Sequence, residues 1–234
     1  MAIVRPFRGA RPVPARVDPT SLALGKPVAD VDDDVAAELL ARDPRNAIGL
    51  LRGSPARAAF LLKEQLRAGV VVRDVRPSLY VLKVQGAAPR LGFFAVVRAD
   101  SVDVDGPIDP AAADRLQAMG VAVEPAVIRY SDQRGRVARS LESETEREPD
   151  AAFVIEGRPC ELWAVDDDSA VARVTALIEA QSLRVAGNAP GAAQRSLVHD
   201  DDARGFALAF FVDEESPVDL VPIGVVLHTL TGAL

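Results

Sequence analysis

Helical and strand-like patterns interleave along the chain, several neighbouring strand patterns are joined by only a few residues, and 49% of the 234 residues are hydrophobic. These observations predict an α/β or α+β fold with a mixed β-sheet and flanking helices. Short connections close antiparallel pairs, whereas a crossover between parallel strands needs about a dozen residues or more. The apolar content supports a real core. No composition shift or internal repeat forces a boundary, so residues 1–234 read as a single domain with a proline-rich N-terminal arm over residues 1–25.

In the arm, Pro6, Pro12, Pro14 and Pro19 rule out a long helix and predict an extended or edge segment packed on the domain. Residues 34–41 form a short helical pattern ended by Asp43-Pro44. Ser54 can cap the next helix, Pro55 suits its first turn, and Phe60, Leu61, Leu62 and Leu66 give an apolar stripe before Gly69. Residues 70–72, 78–84 and 91–98 read as strands, the last two joined by the turn-like Gly86-Ala87-Ala88-Pro89. Asp109-Pro110 opens a helix that runs to Gly120, and residues 126–130 give the next strand. Residues 132–150 are polar, with Glu142, Glu144, Glu146 and Glu148 in alternation, and predict an exposed helix or loop without a buried face. Residues 153–155 and 162–165 flank Glu156-Gly157-Arg158-Pro159, a hairpin signature. Val171, Val174, Leu177 and Ile178 share one face of a helix over 169–180, and residues 183–186, 206–212 and 218–227 complete the strands.

Composition narrows the function classes. No run of eighteen apolar residues occurs, and Met1-Ala2-Ile3-Val4-Arg5-Pro6 lacks the layout of a secretion signal, so a cytoplasmic protein with no membrane partner is expected. The net charge is −7 and no local basic stripe stands out, which argues against nucleic acid as a partner. Aromatics, at 5%, are too thin for base-stacking platforms. Arginine supplies all but three of the 27 basic residues, so a single arginine says little about a phosphate site. One cysteine, Cys160, excludes an internal disulfide and a cysteine-built zinc site.

Residues able to carry chemistry are few. Asp30 with Asp32-Asp33-Asp34, Asp103 with Asp105, Asp166-Asp167-Asp168 and Asp200-Asp201-Asp202 form acidic clusters. They lack calcium-loop spacing, and two fall where helix caps are expected, so they read as caps and solvated loops with no metal site. Of the two histidines, His199 could be oriented by Asp200 or Asp201 in a catalytic arrangement, or it is a surface loop residue; His228 reads as a tail residue. Cys160 reads as a buried structural thiol. Gly187/Gly191 and Gly49/Gly53 fit neither a P-loop nor a dinucleotide fingerprint, and no nucleophile elbow occurs. From residue chemistry alone, no catalytic residue is assigned.

A set of ordered motifs adds a further reading. Arg5-Pro6-Phe7-Arg8-Gly9, Asp43-Pro44-Arg45-Asn46-Ala47-Ile48-Gly49-Leu50, and Gly69 through Asp74 followed by Arg76-Pro77-Ser78-Leu79-Tyr80-Val81 occur in this order. Together with Asp114-Arg115-Leu116, Tyr130-Ser131-Asp132 and Glu161-Leu162-Trp163, they resemble the prokaryotic domain-of-unknown-function family 1015. That family opens with Pro-Phe-Arg-Gly and carries Asn-Pro-x-Asn-x-x-x-Leu and then Pro-x-Leu-Tyr-Val. Other family elements are altered. The Ala-Asp-Gly-His-His-Arg-Tyr element corresponds to Val185-Ala186-Gly187-Asn188-Ala189-Pro190-Gly191, and Pro-Pro-Tyr-Asp-Val to Lys26-Pro27-Val28-Ala29-Asp30-Val31. His-Glu-x-Thr becomes Val104-Asp105-Gly106-Pro107, and a late Pro-x-His-Arg becomes Pro222-Ile223-Gly224-Val225.

The family's histidine-rich element itself resembles one in the ParB and sulfiredoxin-like superfamily, which implies nucleotide binding and phosphoryl transfer, including free-serine kinases. Phosphoryl transfer needs cationic groups around the moving phosphate, and here Asn188, Ala189 and Pro190 stand in those places. The resemblance therefore implies a shortened, degenerate member that acts without catalysis or cofactor, as a binding or scaffold protein for a protein partner or small metabolite. The alternative is a phosphotransferase-like enzyme acting on a small hydroxyl metabolite with a nucleotide and Mg, its site rebuilt from Asp30, Asn188 and His199. Residues 218–234 are strongly apolar and are expected to leave an open edge that pairs a homodimer, unless the N-terminal arm covers them within one chain.

Overall fold

A computed structural model of the chain describes residues 2–86, 89–98, 101, 110–186, 205–216 and 222–229. Its elements are β1 (Val4–Arg5), β2 (Gly9–Pro12), α1 (Pro19–Leu22), a 3-10 turn (Val28–Asp30), α2 (Asp33–Arg42), α3 (Ala47–Arg52), α4 (Pro55–Arg67) and β3 (Val71–Arg73). There follow β4 (Leu79–Val84), β5 (Arg90–Arg98), α5 (Pro110–Met119), β6 (Val121–Ala122), β7 (Ala126–Tyr130) and α6 (Arg136–Glu144). The last are β8 (Ala151–Ile155), β9 (Arg158–Val165), α7 (Asp168–Glu179), β10 (Arg184–Val185), β11 (Phe206–Asp213) and β12 (Leu227–Thr229).

The fold is mixed, as the short connections require. The large sheet runs β10-β7-β11-β5-β4-β9-β8, with β1 pairing the far end of β5. Within it, β7 and β11 lie parallel while β4–β5, β4–β9 and β8–β9 are antiparallel. A second sheet runs β3-β2-β12-β6. Apolar residues line both faces of the large sheet, which is why its strands read as continuous apolar runs. Phe93 stacks on Phe211 at 4.8 Å on one face, among residues that include Val137 and Leu141 of α6 and Val174 and Ile178 of α7. Phe94 tilts against Phe210 at 5.0 Å on the other, in a cluster shared with the small sheet and with α3, α4 and α5. Burying one such ring contributes about 1.5–3 kcal/mol, so the β5–β11 pair holds the sheet's centre. Gly92, paired with Val212, is part of that fit: a Cβ there would lie 2.4 Å from the Phe210 ring.

Local signals behave as their chemistry demands. Ser54, Asp32 and Asp167 accept hydrogen bonds from the first turns of α4, α2 and α7. The β8–β9 turn places Glu156 and Gly157 at φ 49° and 76°, the primed geometry that matches strand twist. The helix over 55–67 is followed by the β4–β5 hairpin, and Cys160 is a buried thiol.

Five expectations change. The predicted stripe on α4 includes Phe60, which is 53% exposed under the Arg57 guanidinium; the buried face is Ala58, Leu61, Leu62 and Gln65. Residues 132–150 do contain a buried face, because Val137, Ser140 and Leu141 of α6 point one way and the surrounding charges point out. Helix α3 went unanticipated, since four of its six residues are buried apolar ones and leave no periodicity to read. The strand expected over 218–227 is, in its described part, a bridge from Ile223 to Leu24, bends, and then β12. Finally, the described part of that segment is no open edge. β12 pairs with β2 of the arm on one side and β6 on the other, and Ile223, Val225, Val226 and Leu227 are buried within the chain. The arm thus contributes β1 to one sheet and an interior strand to the other.

Candidate functional site

The family-like residues that survive in the chain are engaged in internal bonds. Tyr80, fully buried on β4, accepts a hydrogen bond from the Gly9 N–H at 2.7 Å and donates to Asp74 at 2.9 Å. Asp74 also takes the Arg11 Nε at 2.9 and 3.2 Å, so one phenol and one carboxylate tie β2 to the loop before β4. Burial, with the Asp74 charge beside it, pushes the phenol above its ordinary range. Asp43 forms a second knot: it accepts from Ser21 Oγ at 2.7 Å and from the Arg45 backbone and guanidinium at 2.8–2.9 Å. Burial acts to raise this carboxyl, but the bonds from Arg45 and Ser21 outweigh it and hold it below the usual range. Asn46 caps α3 through Ile48 N and donates to the Ser21 and Ala23 carbonyls. Asp132 caps α6 through Arg136 N and Ala138 N, and Trp163 Nε1 donates to the Arg147 carbonyl. Each of these side chains ties one segment of the fold to another or caps a helix.

Asp30 is placed differently. It ends the 3-10 turn Val28–Asp30, which is gripped from two sides. Arg52, at the end of α3, donates to the carbonyls of Val28 and Val31 and pairs with Asp33 at 2.7 Å. Glu124, between β6 and β7, accepts the Val28 N–H at 3.2 Å. Burial, reinforced by the Asp30 charge and opposed by that hydrogen bond, pushes the Glu124 carboxyl up to about 7. Ala186, the second residue of the altered histidine element, donates to the Val127 carbonyl at 2.8 Å, three residues along from Glu124.

Beside this turn lies a cleft of about 410 Å³, a size suited to a small ligand or a few side chains. Buried Leu24, Val31 and Ile155 supply its apolar base. Val35 on α2 and Val154 on β8 line it while remaining 42% and 40% exposed. Its polar residues include Asp30, Asp32, Glu38 and Glu156, with Lys26 and Arg42. Thr20 also lines it, and accepts the Val154 N–H at 3.1 Å.

Of the three residues proposed from sequence, Asp30 is therefore exposed at a cleft, while Asn188 and His199 lie outside the described residues, as do Asp105 and Asp200. His228 is a correction. It is no tail residue but sits on β12 at 9% exposure, edge-on to Phe7 at 5.2 Å. Its Nε2 has no hydrogen-bond partner among the described residues, and burial, with Arg73 nearby, lowers its pKa to about 4. Cys160 is pushed up to about 11 by burial, the behaviour of a packing thiol. Glu124 and Arg52 were missed from sequence. The signal for Glu124 was a lone carboxylate between two apolar segments, Val121-Ala122-Val123 and Ala126-Val127-Ile128; Arg52 had none in so arginine-rich a chain.

No helix among the described residues is long and apolar enough to cross a membrane. A family model described as "Protein of unknown function (DUF1015)" matches residues 4–187. No curated protein and no solved structure matches the chain.

Proposed function

The chain belongs to the DUF1015 family, and from that membership we propose that it serves as a non-catalytic binding protein whose ligand enters the cleft beside Asp30. The observation that carries this reading is the division of labour among the motifs. Asp43, Asn46, Asp74, Tyr80 and Asp132 are spent on internal hydrogen bonds, whereas Asp30 lines a cleft with its side chain in no hydrogen bond or ion pair among the described residues. The described residues lining that cleft include neither histidine nor cysteine, and the two cations among them, Lys26 and Arg42, are outnumbered by carboxylates. Such a lining recognises a ligand but supplies little to gather and neutralise a moving phosphate.

A thermal-shift screen against nucleotides and phosphorylated metabolites, with parallel turnover assays, tests the proposal, because any ligand that binds only the folded chain raises its melting temperature. Stabilisation by a ligand without turnover is expected. Metal-dependent consumption of ATP or ADP with serine or a similar hydroxyl acceptor, lost in Asp30→Ala, would overturn it.

One observation favours the phosphotransferase alternative, with a nucleotide and Mg as its cofactors. Glu124, pushed to about 7 by burial next to the Asp30 turn, is tuned to accept a proton near neutrality. On that reading Glu124→Gln abolishes turnover, and the activity of the unaltered chain rises with pH through about 7. An activity indifferent to Glu124→Gln removes this support.

A further inference from the structure

The cleft has an apolar base and a charged border that does not balance. Asp30, Asp32, Glu38 and Glu156 line it, and none of the four has an ion-pair partner among the described residues. Among the described lining residues these four carboxylates outnumber the two cations, Lys26 and Arg42, and leave the border of the cleft net negative. Two apolar side chains stand at the same place. Val35 and Val154 are 42% and 40% exposed on α2 and β8, and β8 ends the large sheet among the described residues.

We propose that this cleft receives a basic peptide segment of a partner protein, an apolar side chain of the segment lying against Val35 and Val154 while its lysines or arginines face Asp30, Glu38 and Glu156. The inference deepens the binding reading above by naming the chemistry of the occupant. Apolar contact supplies the hold, and the carboxylates select against acidic and neutral segments and speed encounter.

Fluorescence anisotropy with a labelled peptide alternating lysine and leucine tests it, with a glutamate–leucine peptide as counterpart. The basic peptide is expected to bind and the acidic one not to. Glu38→Gln with Glu156→Gln should weaken binding about fivefold or more, and Val35→Ser with Val154→Ser by a similar factor. The pair Glu64→Gln and Glu142→Gln makes the same change in net charge away from the cleft and should leave binding within about twofold. These thresholds are readily resolved, since a fivefold change corresponds to about 1 kcal/mol. Equal weakening by both glutamine pairs would reduce the effect to overall charge and overturn the proposal. So would absent binding, or capture of free arginine ethyl ester without capture of the peptide. Turnover of ATP would refute the non-catalytic reading and leave the peptide result standing; a chain without turnover that fails these peptide tests would refute this inference alone.

Discussion

His228 and Glu124 are buried titratable groups whose shifts run in opposite directions. Burial lowers His228 from 6.5 to about 4, so between these values the unfolded chain binds the extra proton and stability rises with pH. Glu124 is raised from 4.5 to about 7, so the folded chain holds the extra proton and its contribution is lost as pH climbs through 7. Shifts of this size are each worth on the order of 3 kcal/mol, and they oppose each other over the shared window. Denaturant unfolding of the unaltered chain should therefore show nearly flat stability from about pH 4.5 to 6.5. Glu124→Gln should expose a rise with pH, and His228→Leu a fall; variants that keep the flat profile would refute the pairing. Asp43, held low by Arg45 and Ser21, acts only below its ordinary value of 3.8 and leaves this window clear. Tyr80 allows a second test at this scale. Tyr80→Phe keeps the ring but removes the acceptor of the shorter Gly9 N–H bond and the donor to Asp74, leaving that N–H only the Phe7 carbonyl at 3.1 Å, and a loss of about 1–3 kcal/mol in the same assay is expected.

For the helices, the decisive matter is which face turns inward. On α6 only Val137 and Leu141 are fully enclosed apolar residues, four apart and packed on the face of the large sheet that holds Phe93 and Trp163. Leu141→Ala should cost about 2–5 kcal/mol, since the cavity cannot collapse against the stacked rings. Phe60→Ala on α4 removes a larger ring but one left in solvent, and should change stability by about 0.5 kcal/mol or less. Thermal or urea unfolding of the two variants side by side checks the assignment, and a reversed order would refute it. The same contrast explains what could be read of the elements. Caps such as Ser54 and turns such as Glu156-Gly157 are local chemistry and were legible. Helix α3 and the inner face of α6 were not, because one has no periodic contrast and the other only two apolar residues among charges.

Across the whole molecule, residues near the two ends of the chain are joined in the small sheet, where β2 and β12 pair through Leu227 opposite Ala10 and His228 opposite Gly9. Ile223, Val225, Val226 and Leu227 are enclosed there, and burial of each contributes about 1.5–3 kcal/mol. Set against a typical net stability of about 5–15 kcal/mol, a chain cut after residue 221 should unfold or melt far earlier. Loss of the cooperative transition in circular dichroism is the expected result; an intact transition would show that the small sheet is dispensable. The sequence by itself determined the mixed sheet, most element positions and membership of the family, because caps, turns, apolar runs and ordered motifs are all short-range features of the chain. It also placed Asp30 as the acidic residue kept within an altered motif. Only the tertiary structure decided that Asp43, Asp74 and Tyr80 bind inward, that His228 is enclosed, and that β2 of the arm pairs with β12. It alone brought Glu124, 94 residues from Asp30 in sequence, against the turn that carries it. Burial and charge coupling depend on distances in space between segments remote in sequence, and no local pattern encodes them.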